Sequence, residues 1–269
     1  MSNKMKWLAV ALTLISVIGV NAQIGKRFPS EKKVVKDPVT GTMLTFLTTS
    51  PVNDSKIYQT HNQWTSDGQW LIFRSDRVRN EAFAVNEDTG VIVQVTEGGY
   101  SGMLNIARKS MKLYFMRNPN RPTAPTPNNS SGIDPNVRRQ PTTFQIIEVD
   151  LAKLFADSEA GKMKSADTYQ RICGTTSPEI GAGGDMALDG DEEWVYFRIG
   201  REESARILPK ETKLEPNFGP RNMGSGPSGI GAMNIKTGEY KPVVGVPFQV
   251  GHIQTNPWVQ MVHLLRLTR

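Results

Sequence analysis

Cysteine is almost absent: Cys173 is the only one in 269 residues. An internal disulfide is therefore excluded, and stability must come from core packing, with the lone thiol read as a buried small hydrophobe. Histidine is nearly as scarce, at three residues, His61, His252 and His263. No HxH or HExxH spacing occurs, so the usual sequence signs of a metal centre are missing. There is no serine nucleophile elbow, no phosphate loop and no cysteine-based site. No basic run is interleaved with aromatics, which argues against a nucleic-acid partner. Apart from Trp7 to Val20, no apolar run is long enough to approach a bilayer span.

That run has its own meaning. Lys4 and Lys6 precede it, and Val20-Asn21-Ala22 offers small residues before Gln23. Residues 1–22 read as a secretory signal peptide, with no membrane anchor after cleavage and a periplasmic or secreted location. The remaining chain, 38% hydrophobic and 22% charged over the whole sequence, has the balance of a globular protein. The whole sequence carries +6, and +4 remains without Lys4 and Lys6, a balance that favours anionic partners weakly.

Residues 23–258 carry a recurring unit. Ser66-Asp67-Gly68 is a tight turn, and Trp70-Leu71-Ile72-Phe73 a short run of strand formers. The same grammar returns at Met111–Arg117 and Glu193–Arg198, each ending near an aromatic and an arginine. Asn86-Glu87-Asp88-Thr89-Gly90 and Asn234-Ile235-Lys236-Thr237-Gly238 place one turn type between the second and third strands of their units. A strand pair flanking Asp37–Gly41 leads the array, and Leu151–Ala156 reads as one or two helical turns. The stretches 118–141 and 202–228 are polar or Gly/Pro-rich and read as insertions. The fold expected is all-β, an incomplete β-propeller of about three four-stranded blades plus part of another. Gln249 to Trp258 looks like the start of a further unit. Residues 259–269 show no turn and no second strand, and read as an atypical tail from truncation or a frameshift.

Chemistry can rest on few residues. His61 and His252 stand at corresponding places before Trp64 and Trp258, on connections that face a propeller's channel, where an imidazole can act as base or ligand. Arg74, Arg77 and Arg198 follow strands and have the planar fork that grips carboxylates, although arginines there are often simply solvated. Asp185, Asp189, Asp191, Glu192 and Glu193 read as a solvated acidic turn, since calcium-loop spacing is missing.

The strings FPSE, DPVTG, YQTHNQWTSDGQWLIFRSDR and GHIQTNPW resemble the oligogalacturonate lyase family; the blade grammar alone is shared with TolB-like propellers. The resemblance implies a seven-bladed propeller that cleaves pectin-derived acidic oligosaccharides by β-elimination. It implies His252 as general base, Gln254 beside it, and Arg74, Arg77, Arg198 and His61 as substrate contacts. It implies a manganese cofactor whose ligands lie in later blades, so that no metal ligand carries over to this chain and activity is not expected of it alone. The alternative is a TolB-like propeller that binds a protein or glycan without catalysis.

Overall fold

The computed structural model describes residues 23–120, 142–183, 185–216, 226–256, 258 and 262–264. The leader at 1–22 and most of the first insertion lie outside the described residues. In chain order, β1 (Arg27–Phe28) is followed by a hairpin of β2 (Lys33–Lys36) and β3 (Met43–Phe46). Then come β4 (Asp54–Lys56), β5 (Trp70–Ser75), β6 (Ala82–Asn86) and β7 (Ile92–Gln94). A second group is β8 (Ser101–Ile106), β9 (Lys112–Arg117), β10 (Gln145–Asp150), helix α1 (Leu151–Glu159) and β11 (Gln170–Thr175). A third is β12 (Met186–Leu188), β13 (Trp194–Ile199), helix α2 (Arg201–Ile207), β14 (Ser228–Asn234) and β15 (Tyr240–Val246). β16 (Ile253–Thr255) and β17 (Val262–Leu264) end the described chain.

The strands form three large antiparallel sheets, ordered β1-β7-β6-β5-β4, β11-β10-β9-β8 and β12-β13-β14-β15, and two two-stranded ones, β2-β3 and β16-β17. The second and third large sheets are each a four-stranded meander, as the repeat predicts. The large sheets stack face to face, and the described residues do not close them into a ring, so the architecture is an incomplete β-propeller. Leu104, Leu113, Phe115 and Ile147 of the second sheet meet Ile72, Ala84 and Val93 of the first. Met116, Ile146 and Cys173 of the second meet Val195, Phe197 and Met233 of the third. Cys173 is buried as expected, and burial pushes its thiol up to about 11.

Turn chemistry explains the regularity. Asn86 Oδ1 accepts from Thr89 N at 2.9 Å, and Asn234 Oδ1 from Thr237 N at 3.0 Å. Gly90 and Gly238 follow at φ +73° and +74°, a conformation that favours glycine. The predicted turn at Asp67 is capped by its own carboxylate, which accepts from Gln69 N at 3.0 Å.

Four details differ from the sequence expectation. The first sheet has five strands because Arg27–Phe28 adds β1 outside β7; two residues are too few to show periodicity. Helix α1 runs to Glu159, beyond the turn or two expected, because Leu151, Leu154, Phe155 and Ser158 bury one face and Asp150 caps Lys153 N at 2.9 Å. The stretch 202–228 is not all insertion: α2 begins at Arg201 and buries Glu203 and Ser204. The tail is not strandless either, since β17 pairs with β16 in the register Gln254↔His263.

The leading hairpin is tied down by charge. Arg77 donates to both oxygens of Glu31 at 2.7 Å and to Asp54 at 2.5 Å. Glu31 also accepts from Thr49 N and Ser50 N at 2.9 and 3.0 Å. Burial alone would raise the Glu31 carboxyl, but these donors outweigh it and hold it at about 2. With a folded value below the ordinary 4.5, its stabilisation is fully present above that pH and is lost as pH falls toward 2. Arg77→Met should cost about 3 kcal/mol by stranding two carboxylates. Urea midpoints at about pH 6 should show that loss, and it should shrink at about pH 3.

Candidate functional site

The segment between β4 and Trp64 folds on itself. His61 N donates to Tyr58 O at 3.0 Å, and Gln63 Nε2 donates to Tyr58 O and His61 O, both at 2.9 Å. This turn directs the Tyr58 and His61 rings toward the inner strands. The His61 ring nitrogen Nδ1 lies 3.3 Å from Leu104 O on β8. The Tyr58 ring stacks on His252 at 5.1 Å and 8°, and meets His61 edge-on at 5.7 Å. Two histidines 191 positions apart by their numbers thus share one tyrosine.

His252 sits just before β16 with φ +50°, a left-handed conformation rare for histidine. Strand alternation puts Ile253 into the core, where it is 1% exposed, and leaves Gln254 on the face that His252 leads into. Strained, bulky residues of this kind concentrate at functional positions.

Buried polar atoms without a partner gather at the same place. Among the described residues they are His61 Nε2, Gln63 Oε1, Arg74 Nε, Asp189 Oδ2, His252 Nδ1, Gln254 Nε2 and, on the far side of the first sheet, Gln94 Oε1. Leaving one such atom unpaired costs about 1–3 kcal/mol, so a cluster of them marks a place built for something other than stability.

Electrostatics set the state of His61. Burial lowers its pKa most; the Leu104 and Ile253 carbonyls and Asp185 oppose this, and the Arg74 charge adds to it. The ring is therefore neutral at neutral pH and able to accept a proton. Arg198 stands beside Asp185 at 3.5 Å.

The structure thus brings His61, His252, Gln254 and Arg74 together, with Arg198 reached through Asp185. It does not bring in Arg77, whose guanidinium is consumed by Glu31 and Asp54 and is 6% exposed. Sequence reasoning missed Tyr58, which carries no signal beyond its nearness to His61. It also misread Asp189 as solvated. Asp189 is 4% exposed and accepts from Glu193 N and Trp194 N, and its pairing with Gly190 is the sign that it closes a turn like Asp67-Gly68.

No protein-family model matches this sequence, and no curated protein matches it. Solved structures do. An oligogalacturonate lyase in complex with manganese is 18% identical, with TM-score 0.58 over 87% of this chain and 52% of its own. An oligogalacturonate lyase from Vibrio parahaemolyticus is 16% identical, with TM-score 0.60 over 88% of this chain and 52% of its own. A putative TolB from Agrobacterium tumefaciens matches at 12% identity, with TM-score 0.41 over 87% of this chain and 70% of its own, too distant to argue from. The chain resembles the two lyases in fold and spans about half their length.

The residues present do not fit a manganese ion. Among the described residues no three His, Cys, Asp or Glu side chains converge. The Tyr58 ring packs against both imidazoles, and His61 Nδ1 faces a carbonyl. Two imidazoles and an amide so arranged do not offer one ion a shell.

A pH-melting series tests the His61 assignment. Its folded pKa is depressed, so its stabilisation is complete above about 6.5 and is lost as pH falls below it. The melting temperature should fall between about pH 7 and 5, and His61→Gln should flatten that slope.

Proposed function

We propose that this chain is a lyase-like protein that recognises pectin-derived acidic oligosaccharides, of the oligogalacturonate class, at the His61–Tyr58–His252 site. The observation that carries the reading is the cluster of buried, unpartnered polar atoms on His61, His252, Gln254 and Arg74. The fold it shares with two oligogalacturonate lyases supports it. Arg74 has a buried, unpaired Nε–H, a donor suited to a uronate carboxylate. Arg198, beside Asp185 at 3.5 Å, carries a second guanidinium.

The chemistry is β-elimination. His252 takes the proton from the carbon next to the carboxylate. The C–H electron pair becomes a carbon–carbon double bond, the glycosidic C–O bond breaks, and the leaving oxygen takes a proton from solvent. The arginines offset the negative charge that grows on the carboxylate oxygens. Gln254, on the same face as His252, orients the sugar. The leader read at residues 1–22 would place this reaction outside the cytoplasm. Among the described residues no helix is long and apolar enough to cross a membrane.

The second reading, a non-catalytic propeller that binds a glycan, draws on the same cluster, because it needs binding and no base. Calorimetry with trigalacturonate and ultraviolet detection of the unsaturated product separate the two. Arg74→Ala should weaken binding about tenfold, the size of one lost charged hydrogen bond. His252→Asn tolerates the left-handed backbone and should leave binding in place while lowering product formation about a hundredfold. Unsaturated product would favour the lyase reading; binding without product fits both the second reading and a lyase-like chain that lacks its metal ligands; absence of trigalacturonate binding would remove the oligogalacturonate reading and leave a propeller that binds a protein or another glycan.

A further inference from the structure

A cavity of about 70 Å³ opens beside the histidine pair, lined by Thr60, His61, Asn105, Asp189, Gln254 and Thr255. It lies where the 58–62 turn, β8, the end of β12 and β16 meet. Three of the unpartnered buried atoms, His61 Nε2, Asp189 Oδ2 and Gln254 Nε2, belong to its wall.

Two of their hydrogen-bond roles can be assigned. Asp189 Oδ1 is occupied by Glu193 N at 2.9 Å and Trp194 N at 3.2 Å, so Oδ2 remains a charged acceptor. The His61 ring faces two carbonyls, those of Leu104 and Ile253, so its hydrogen serves one of them and the ring forms a side of the cavity without a fixed role toward a ligand. Gln254 Nε2 is a donor. The neighbouring polar side chains are already engaged: Asn105 Nδ2 donates to Met186 O at 3.1 Å, and Thr255 Oγ1 donates to Leu188 O.

An unpartnered acceptor, Asp189 Oδ2, and an unpartnered donor, Gln254 Nε2, on one small space suit a group that both donates and accepts. Arg108 and Glu192 also line the space, with Glu192 already accepting from Lys109 N and Ser110 Oγ, so the Asp189–Gln254 pair is the part of the wall that a hydroxyl satisfies. The space exceeds what one water needs and opens to solvent, so a sugar can present a hydroxyl to it from the mouth. We infer that Asp189 and Gln254 form a hydroxyl-binding subsite, beside His61, that takes a hydroxyl of a sugar whose carboxylate is held by Arg74. This rests on the oligosaccharide reading above and adds to it a second recognition element, distinct from Arg74 and made to a group that carries no charge.

The test is calorimetric titration of the full chain with trigalacturonate and with its fully methyl-esterified, neutral form. Asp189→Asn retains the oxygen that caps the Glu193 turn and puts a donor where Oδ2 accepted. It should weaken both ligands about tenfold or more, as expected for loss of a charged hydrogen bond. Arg74→Ala should weaken only the charged ligand. Gln254→Glu, which exchanges the donor for an acceptor, should repeat the Asp189→Asn pattern and serves if that variant does not fold. If both cavity variants bind trigalacturonate within twofold of the parent while Arg74→Ala does not, the cavity holds internal water only and the subsite is overturned, with the uronate reading intact. If the cavity variants lose both ligands while Arg74→Ala changes neither, the subsite stands and the uronate reading falls. If the parent binds neither ligand, both are overturned.

Discussion

Each of the three large sheets is apolar on both faces, so each has to be covered twice. All five residues of β6 are buried, which no sheet with a wet face allows. One face of the first sheet meets Leu104, Phe115 and Ile147 of the second, and Trp70 reaches helix α1 to stack on Phe155 at 4.1 Å. The other face, built on Phe73, Phe83, Val85 and Ile92 with Phe28 of the sheet's own β1, is covered by Leu47 just after β3. Stacking sheets in this way sets the inner strands side by side, and β12 packs against both β8 and β16. The candidate site is a consequence of that arrangement, since its residues sit on or before the inner strands.

Polar ties at the seams fix the register that apolar burial leaves loose. Glu148 on β10 accepts from Tyr114 and Lys112 of β9, at 2.8 and 2.9 Å, and from Arg171 of β11 at 2.9 Å. Burial would raise that carboxyl, yet the Arg171, Lys112 and Tyr114 donors hold it below its ordinary value. Arg171 also donates to Ile235 O at 3.1 Å, joining the second sheet to the third. Arg77 performs the same service between the first sheet and the hairpin. These buried charges are satisfied from several sides. That is what separates them from Arg74, whose Nε is buried and unpaired.

Stability and function therefore draw on the same residue types in opposite ways. Where a buried polar group has its full set of partners it locks two elements together. Where partners are missing, at His61, His252, Gln254 and Asp189, the cost is carried by the surrounding packing and the group is available to a ligand. The left-handed backbone at His252 and the tyrosine pressed on its ring belong to the same pattern of local cost held in place by the frame.

Local chemistry determined much of this protein from sequence alone. The Asp67-Gly68, Asn86–Gly90 and Asn234–Gly238 turns are decided by side-chain oxygens two or three residues from the amides they bind. Strands such as Trp70–Phe73 follow from their own composition. The placing of His61 and His252 at corresponding points of two units was legible for the same reason, because a repeat can be read without knowing how its copies pack. Only the tertiary structure decided that Tyr58 stands between those histidines, that Arg77 is spent on Glu31 and Asp54 while Arg74 is not, and that Asp189 is buried beside Gln254. Each depends on which residues, tens to hundreds of positions apart, share a low-dielectric space. Nothing local records that, because identical arginines or aspartates on identical turns differ only in what the stacked sheets bring against them.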